Sequence, residues 1–223
     1  MEVAVKSILY QEGGIPMAEH KIITIGRQFG SGGHEIGNIL ATRLDIPLYD
    51  NNLVRMAAER LDIREETARA VDETTLNSFL TGYVIAPMEY REAIRSADYT
   101  QPLNEQVYEL QSEIIRKLSQ RGPCRIVGRC AGQILKGHPM CLDVFICADM
   151  EDRIQRIAKR YDLSEKKAAD KIKRVDRERK YYYESHTGLE WGSILSHQML
   201  LNVSRFGIEG TADILETVYR GQS

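Results

Sequence analysis

The sequence predicts an α/β fold, a parallel sheet with helices on both faces, in a single domain over residues 21–219 behind an N-terminal extension at 1–20. Two observations carry this expectation. Short apolar runs alternate with longer segments of helical period along most of the chain, and crossovers of that length join parallel strands. The runs also lack polar alternation, as strands covered on both faces must. The first of them, Ile22-Ile-Thr-Ile25, leads directly into a cluster of glycines.

Gly26, Gly30, Gly32 and Gly33 permit positive φ angles and let backbone N–H groups approach an anion closely. Ile36, Ile39, Leu40 and Leu44 then recur at i, i+3, i+4 and i+8, so a helix starts near Gly33 and aims its first amides at the same spot. This is a phosphate-binding turn. It approaches the P-loop pattern G-x-x-x-x-G-K-[ST], with three departures: Arg27 stands at the first glycine, Gly33 at the lysine and His34 at the hydroxyl residue. Gly30, Ser31, Gly32, Gly33, His34 and Glu35 are therefore candidate donor-phosphate residues. Arg27 is the nearest cation and reads either as the substitute for the lysine or as an ordinary surface arginine. A dinucleotide turn, G-x-G-x-x-G with Asp50 as its distal acid, is the rival. Counted from Gly30 and Gly32 its third glycine falls on Glu35, so the spacing favours a P-loop type of fold.

Ile46 to Tyr49 form a short second strand that ends in Asp50, at the carboxyl edge where open α/β sheets hold ligands. Asp50 reads as an acceptor-side residue or as the N-cap of the next helix, and one role does not exclude the other. Residues from about 62 to 101 have polar helical character with no strand run, which predicts a helical insertion able to close over a second substrate. Within it Arg91 and Arg95, one turn apart, are candidate phosphate contacts or solvated surface arginines. Asn104 to Gln120 resume a helix that Gly122-Pro123 stops.

Cys124 to Gly128 are the third strand, with Arg129 at its carboxyl end facing a phosphate or a base. Leu142 to Cys147 are the fourth, and Asp149 is expected to cap the helix that carries Ile154, Ile157 and Tyr161. Ser164 starts a long helix through Ala168, Ile172 and Val175, part of a lid region at about 164–190. Five of the six residues from Arg174 to Arg179 are charged, which suits a solvated face or a lid over phosphates. Tyr181 to Tyr183 read as core packing or base stacking, and Glu184 to Gly188 as turn. Met199 to Asn202 are the last strand and Ile208 to Tyr219 the closing helix.

Composition limits the partners. A net charge of -2 with 28% charged residues leaves no overall footprint for nucleic acid or an anionic membrane, so any polyanion site is local. No apolar run reaches membrane-span length and no signal-peptide core is present, which predicts a cytoplasmic protein. Cys124, Cys130, Cys141 and Cys147 lack zinc-site spacing and read as free, mostly buried thiols.

Taken in order, Gly30-Ser-Gly-Gly-His-Glu-Ile-Gly37, Ile46-Pro-Leu-Tyr-Asp50, Ile126-Val-Gly-Arg129, Arg174-Val-Asp-Arg-Glu-Arg179 with Tyr182, and Leu201-Asn202 with Gly207-Ile-Glu-Gly210 resemble the cytidylate kinases, in particular their cytidylate kinase-like branch. The resemblance covers about Lys21 to Leu215. It implies a P-loop nucleoside monophosphate kinase fold with a five-stranded sheet, a helical NMP-binding insertion and an arginine-rich lid. The implied reaction transfers the γ-phosphoryl of ATP, with Mg, to CMP or a related small phosphate acceptor. By position, Gly30 to Gly33 would hold donor phosphates, Asp50 and Arg129 would serve the acceptor, and Arg174, Asp176, Arg177 and Arg179 would belong to the lid. Cytidylate kinases proper have lysine at the place of Gly33, an acid at that of Cys130, and serine and glycine at those of Asn51 and Asn52. A non-catalytic nucleotide-binding or regulatory protein with a degenerate P-loop is thus the alternative expectation.

Overall fold

The computed structural model describes residues 21–50 and 103–221, and the extension, the expected insertion, Arg91 and Arg95 lie outside the described residues. Its strands are β1 (Ile22–Arg27), β2 (Leu48–Tyr49), β3 (Cys124–Val127), β4 (Cys141–Cys147) and β5 (Met199–Asn202). The helices are α1 (Gly33–Leu44), α2 (Leu103–Arg121), α3 (Ala131–Ile134), α4 (Met150–Tyr161), α5 (Glu165–Thr187) and α6 (Val203–Tyr219). All five strands are parallel, in the order β2-β3-β1-β4-β5. The α/β expectation therefore holds, with the glycine-rich strand at the centre.

Strand alternation divides the core between the two faces. Ile23 and Ile25, with Val127, Val144 and Ile146, pack against Ile36 and Leu40 of α1 and Ala212 and Leu215 of α6. Ile22, Cys124, Ile126 and Cys141 face the other way, onto Ile114, Ile115 and Leu118 of α2. Higher on this second face the strands turn polar: Thr24 lies beside Asp143, and Gly26 beside Phe145. Less apolar filling is left there for the helices to cover.

Arg125 on β3 is fully buried, and its guanidinium donates to Gly37 O of α1 at 2.8 Å and to Ile46 O before β2. Burial lowers its pKa to about 10. The arginine acts as a clamp on the glycine-loop helix.

Several local expectations are corrected. The second strand shortens to two residues. The Asp149 side chain does not cap α4; it accepts from Asn202 Nδ2 at 2.9 Å and so ties the end of β4 to that of β5. α5 does not stop before the tyrosines but runs through Thr187, where Gly188 at φ 67 ends it. Ser164 caps its start, accepting from Lys167 N–H. α6 contains a break at Gly207 (φ 69, ψ 174), so its regular part begins where the apolar period predicts.

Candidate active site

The loop from Gln28 to Gly32 joins the centre of the sheet to α1. Gln28 pins it: its N–H donates to Ile146 O at 3.0 Å and its side-chain oxygen accepts from Ala148 N–H at 3.2 Å. Gly30 and Gly32 hold φ angles of 81° and 89°, the left-handed conformation that glycine alone adopts freely. A Cβ on Gly30 would also lie 2.9 Å from Ile157. The 12-residue α1 begins at Gly33 with no side-chain cap. Phe29 N–H goes to Asp176 at 2.7 Å and Ser31 N–H to Gln28 O. The amides of Gly32, Gly33 and His34 find no acceptor among the described residues. This leaves a set of open donors at a positive helix end, a favourable place for an anion.

Arg27 and Gly33 are sterically linked. The Arg27 side chain leaves β1 across Gly33, where a Cβ would lie 2.8 Å from Arg27 Cβ and 3.2 Å from its Cγ. The clash begins at Arg27 Cβ, so a side chain at 33 and a side chain at 27 exclude each other whatever the arginine rotamer. The guanidinium ends over Gly128, which must lack a Cβ to admit it, and 3.7 Å from Asp50. Burial lowers the Arg27 pKa, while Asp50 acts in the opposite sense.

Arg179 of α5 approaches the same point and donates to Arg27 O at 3.2 Å. Burial, and then the charge of Arg27, bring its pKa down to about 9. Arg129 adds to the repulsion on both. Three guanidiniums thus crowd the carboxyl edge of the sheet, lining a cavity of about 430 Å³ that also has Phe145, Tyr182, Trp191 and His197 in its wall. A cluster of partly desolvated like charges is costly unless an anion joins it.

The remaining sequence candidates separate. Asp50 is buried, and its Oδ2 meets His34 Nε2 at 3.2 Å, so His34 faces the Asp50 carboxylate beside the loop. Ser31 is buried with its hydroxyl on Gln28 O at 2.9 Å. Glu35 is exposed in the first turn of α1. Asp176 and Arg179 share the inward face of α5, whereas Arg174 and Arg177 are exposed and outside the cavity wall, Arg174 lying 4.0 Å from Glu178.

Arg153 and Arg156 of α4 escape sequence reasoning. Arg153, only 3% exposed, pairs with Asp176 and donates to Phe29 O at 2.8 Å. Arg156 donates to Gly30 O at 2.7 Å. Extending the Ala168, Ile172, Val175 stripe by further helical turns points to Arg179, Tyr182 and Tyr183 as the inward residues of α5. Thr24 and Asp143 also carry a signal, since each is a polar residue inside an apolar buried strand.

The family model described as cytidylate kinase-like matches residues 22–205. A crystal structure of an uncharacterized protein from Eubacterium ventriosum is similar at 25% identity and TM-score 0.64, covering 90% of this chain and 98% of its own. The shikimate kinase of Bacteroides thetaiotaomicron is similar in fold at 13% identity and TM-score 0.50, over 88% of this chain and 97% of its own. No curated protein matches the chain.

Proposed function

The chain belongs to the cytidylate kinase-like family, and from that premise we propose that it transfers the γ-phosphoryl of ATP to CMP or a related small phosphate acceptor, with Arg27 in place of the P-loop lysine. The observation that carries this reading is the convergence of Arg27, Arg129 and Arg179 on one cavity beside the open amides of Gly32, Gly33 and His34. Phosphoryl transfer needs mainly positioning and neutralisation of charge on the moving group. In this reading the loop amides bind donor phosphates, Arg27 and Arg179 cover the transferring group, and Arg129 with Asp50 orients the acceptor. α5 is the lid, docked through Asp176 and Arg179, and residues 62–101 are the acceptor-binding insertion.

Among the described residues no three His, Cys, Asp or Glu side chains are grouped to hold a metal. Magnesium binds through one or two carboxylates together with substrate phosphates. Asp50, beside the residue at the P-loop hydroxyl position, is the carboxylate that would take part. Bound there, magnesium would neutralise phosphate charge.

One observation favours the second reading, a nucleotide-binding regulator without turnover. The Asp176 carboxylate already accepts the Phe29 amide, so part of the loop's donor capacity is used by the chain itself.

The deciding experiment is an ADP-release assay with ATP–Mg across nucleoside monophosphates, beside thermal-shift titrations with ATP–Mg, CMP and NAD. Turnover with one acceptor is expected. Stabilisation by ATP–Mg without turnover selects the regulator, and stabilisation by NAD alone rejects both readings. Arg27→Ala is expected to lower turnover by about 10²–10³, the scale of one charge-stabilising group, with a far smaller effect on the urea midpoint. Unchanged turnover would remove Arg27 from the chemistry.

A further inference from the structure

Away from the glycine loop, on the floor of the cavity, Thr24, Asp143 and His197 form a polar chain that no part of the phosphoryl-transfer reading uses. Thr24 Oγ1 donates to Asp143 Oδ1 at 2.6 Å, and His197 Nδ1 lies 2.8 Å from Asp143 Oδ2. An ionised carboxylate only accepts, so Nδ1 carries a proton, and in the neutral imidazole Nε2 then keeps its lone pair. The His197 side chain is 4% exposed, yet Nε2 has no hydrogen-bond partner among the described residues. A buried acceptor without a partner costs free energy that a ligand donor would recover.

The surroundings are shaped around this pair. A Cβ on Gly132 would overlap the Asp143 carboxylate, and one on Gly26 would lie 3.3 Å from His197 Cε1. The imidazole packs at 5.0 Å on the Phe145 ring and at 5.9 Å on that of Tyr183. These neighbours line the same cavity as the arginines. Simple fastening of the loop before β5 does not require the imidazole, because Gln198 already makes two hydrogen bonds with the backbone of Asp143.

We infer that Asp143 and His197 form a specificity subsite for the phosphate acceptor. Nε2 takes a hydroxyl, amino or ring N–H donor from the body of a ligand whose phosphate lies at Arg129, while Phe145 and Trp191 flank that body. The ligand class is a phosphate ester of a hydroxylated or nitrogen-ring compound, and the volume of about 430 Å³ suits a nucleoside monophosphate. The inference rests on the kinase reading for the identity of its ligand as an acceptor.

The test is ¹H–¹⁵N correlation of the histidine side chains in the full chain, with His197 assigned by loss of its signal in His197→Gln. The probes are CMP, UMP, AMP, GMP and a set of sugar phosphates, each added without ATP. One of them is expected to move the Nε2 resonance while Nδ1 stays protonated. With that compound as acceptor, His197→Phe is expected to raise KM about tenfold, the equivalent of one lost hydrogen bond, while the KM for ATP changes less than twofold. His197→Gln, which restores an acceptor oxygen, is expected to recover part of the loss. Silence of Nε2 across the whole panel overturns the subsite, as does an unchanged acceptor KM in a folded His197→Phe protein. A responding Nε2 in a protein without turnover keeps the binding site and rejects the kinase reading alone.

Discussion

At the scale of single residues, the loop has exchanged two positions of the usual phosphate-binding pattern. Arginine at 27 and glycine at 33 are one steric unit, since the Arg27 stem fills the space a residue-33 side chain would need. Gly33→Ala is expected to cost about 1–3 kcal/mol by overpacking, and much less in an Arg27→Gly background, which removes the Cβ that the new methyl would meet. Urea denaturation of the four proteins of that cycle measures the coupling. Arg125 provides a second residue-level prediction. Arg125→Met leaves the Gly37 and Ile46 carbonyls without their donor and is expected to lose about 2 kcal/mol. Arg43→Met, which breaks a solvent-facing cluster with Glu209, Asp213 and Glu216, is expected to shift the urea midpoint far less than Arg125→Met does.

At the scale of elements, α4 and α5 hold the glycine loop between them. Asp176 accepts from Phe29 N–H and pairs with the buried Arg153, whose Nε donates to Phe29 O. Removing the carboxylate strands a buried guanidinium. Asp176→Ala is therefore expected to destabilise the fold by about 3 kcal/mol, with faster amide exchange concentrated in the loop and the middle of α5. Uniform loosening of the whole sheet would contradict the picture of a local clamp. The inward face of α5 follows from its period. That Asp176 and Arg179 turn inward while Arg174 and Arg177 face solvent is plain helical geometry about the Ala168 and Ile172 stripe.

At the scale of the whole molecule, burial dominates the thiols. It pushes Cys124 up to about 11 and Cys130 and Cys141 up to about 12. The folded state therefore binds more protons than the unfolded chain from about pH 9 upward, and the linkage slope is negative. Stability from these groups is intact below pH 9 and is lost toward pH 11–12, by up to about 1.4 kcal/mol per pH unit for each thiol. A falling urea midpoint above pH 9, made shallower by Cys130→Ala, is the expected result. A midpoint flat to pH 11 would reject it.

Periodicity and glycine spacing were enough to read the parallel sheet, the glycine turn that leads into α1 and the run of charge on α5, because each is written locally in residues a few positions apart. Even the misread ends have local reasons: a helix can continue through tyrosines until Gly188 supplies a left-handed residue, and an aspartate before a helix can find a better partner in Asn202. Tertiary structure alone decided what crosses the sheet. Strand register puts Thr24 beside Asp143, and the loop before β5 brings His197 to the Asp143 carboxylate. The path of Arg27 over Gly33 toward Gly128 likewise depends on how β1, α1 and β3 meet. The Thr24–Asp143 contact spans 119 positions and the His197–Asp143 contact 54, and no local pattern encodes such meetings.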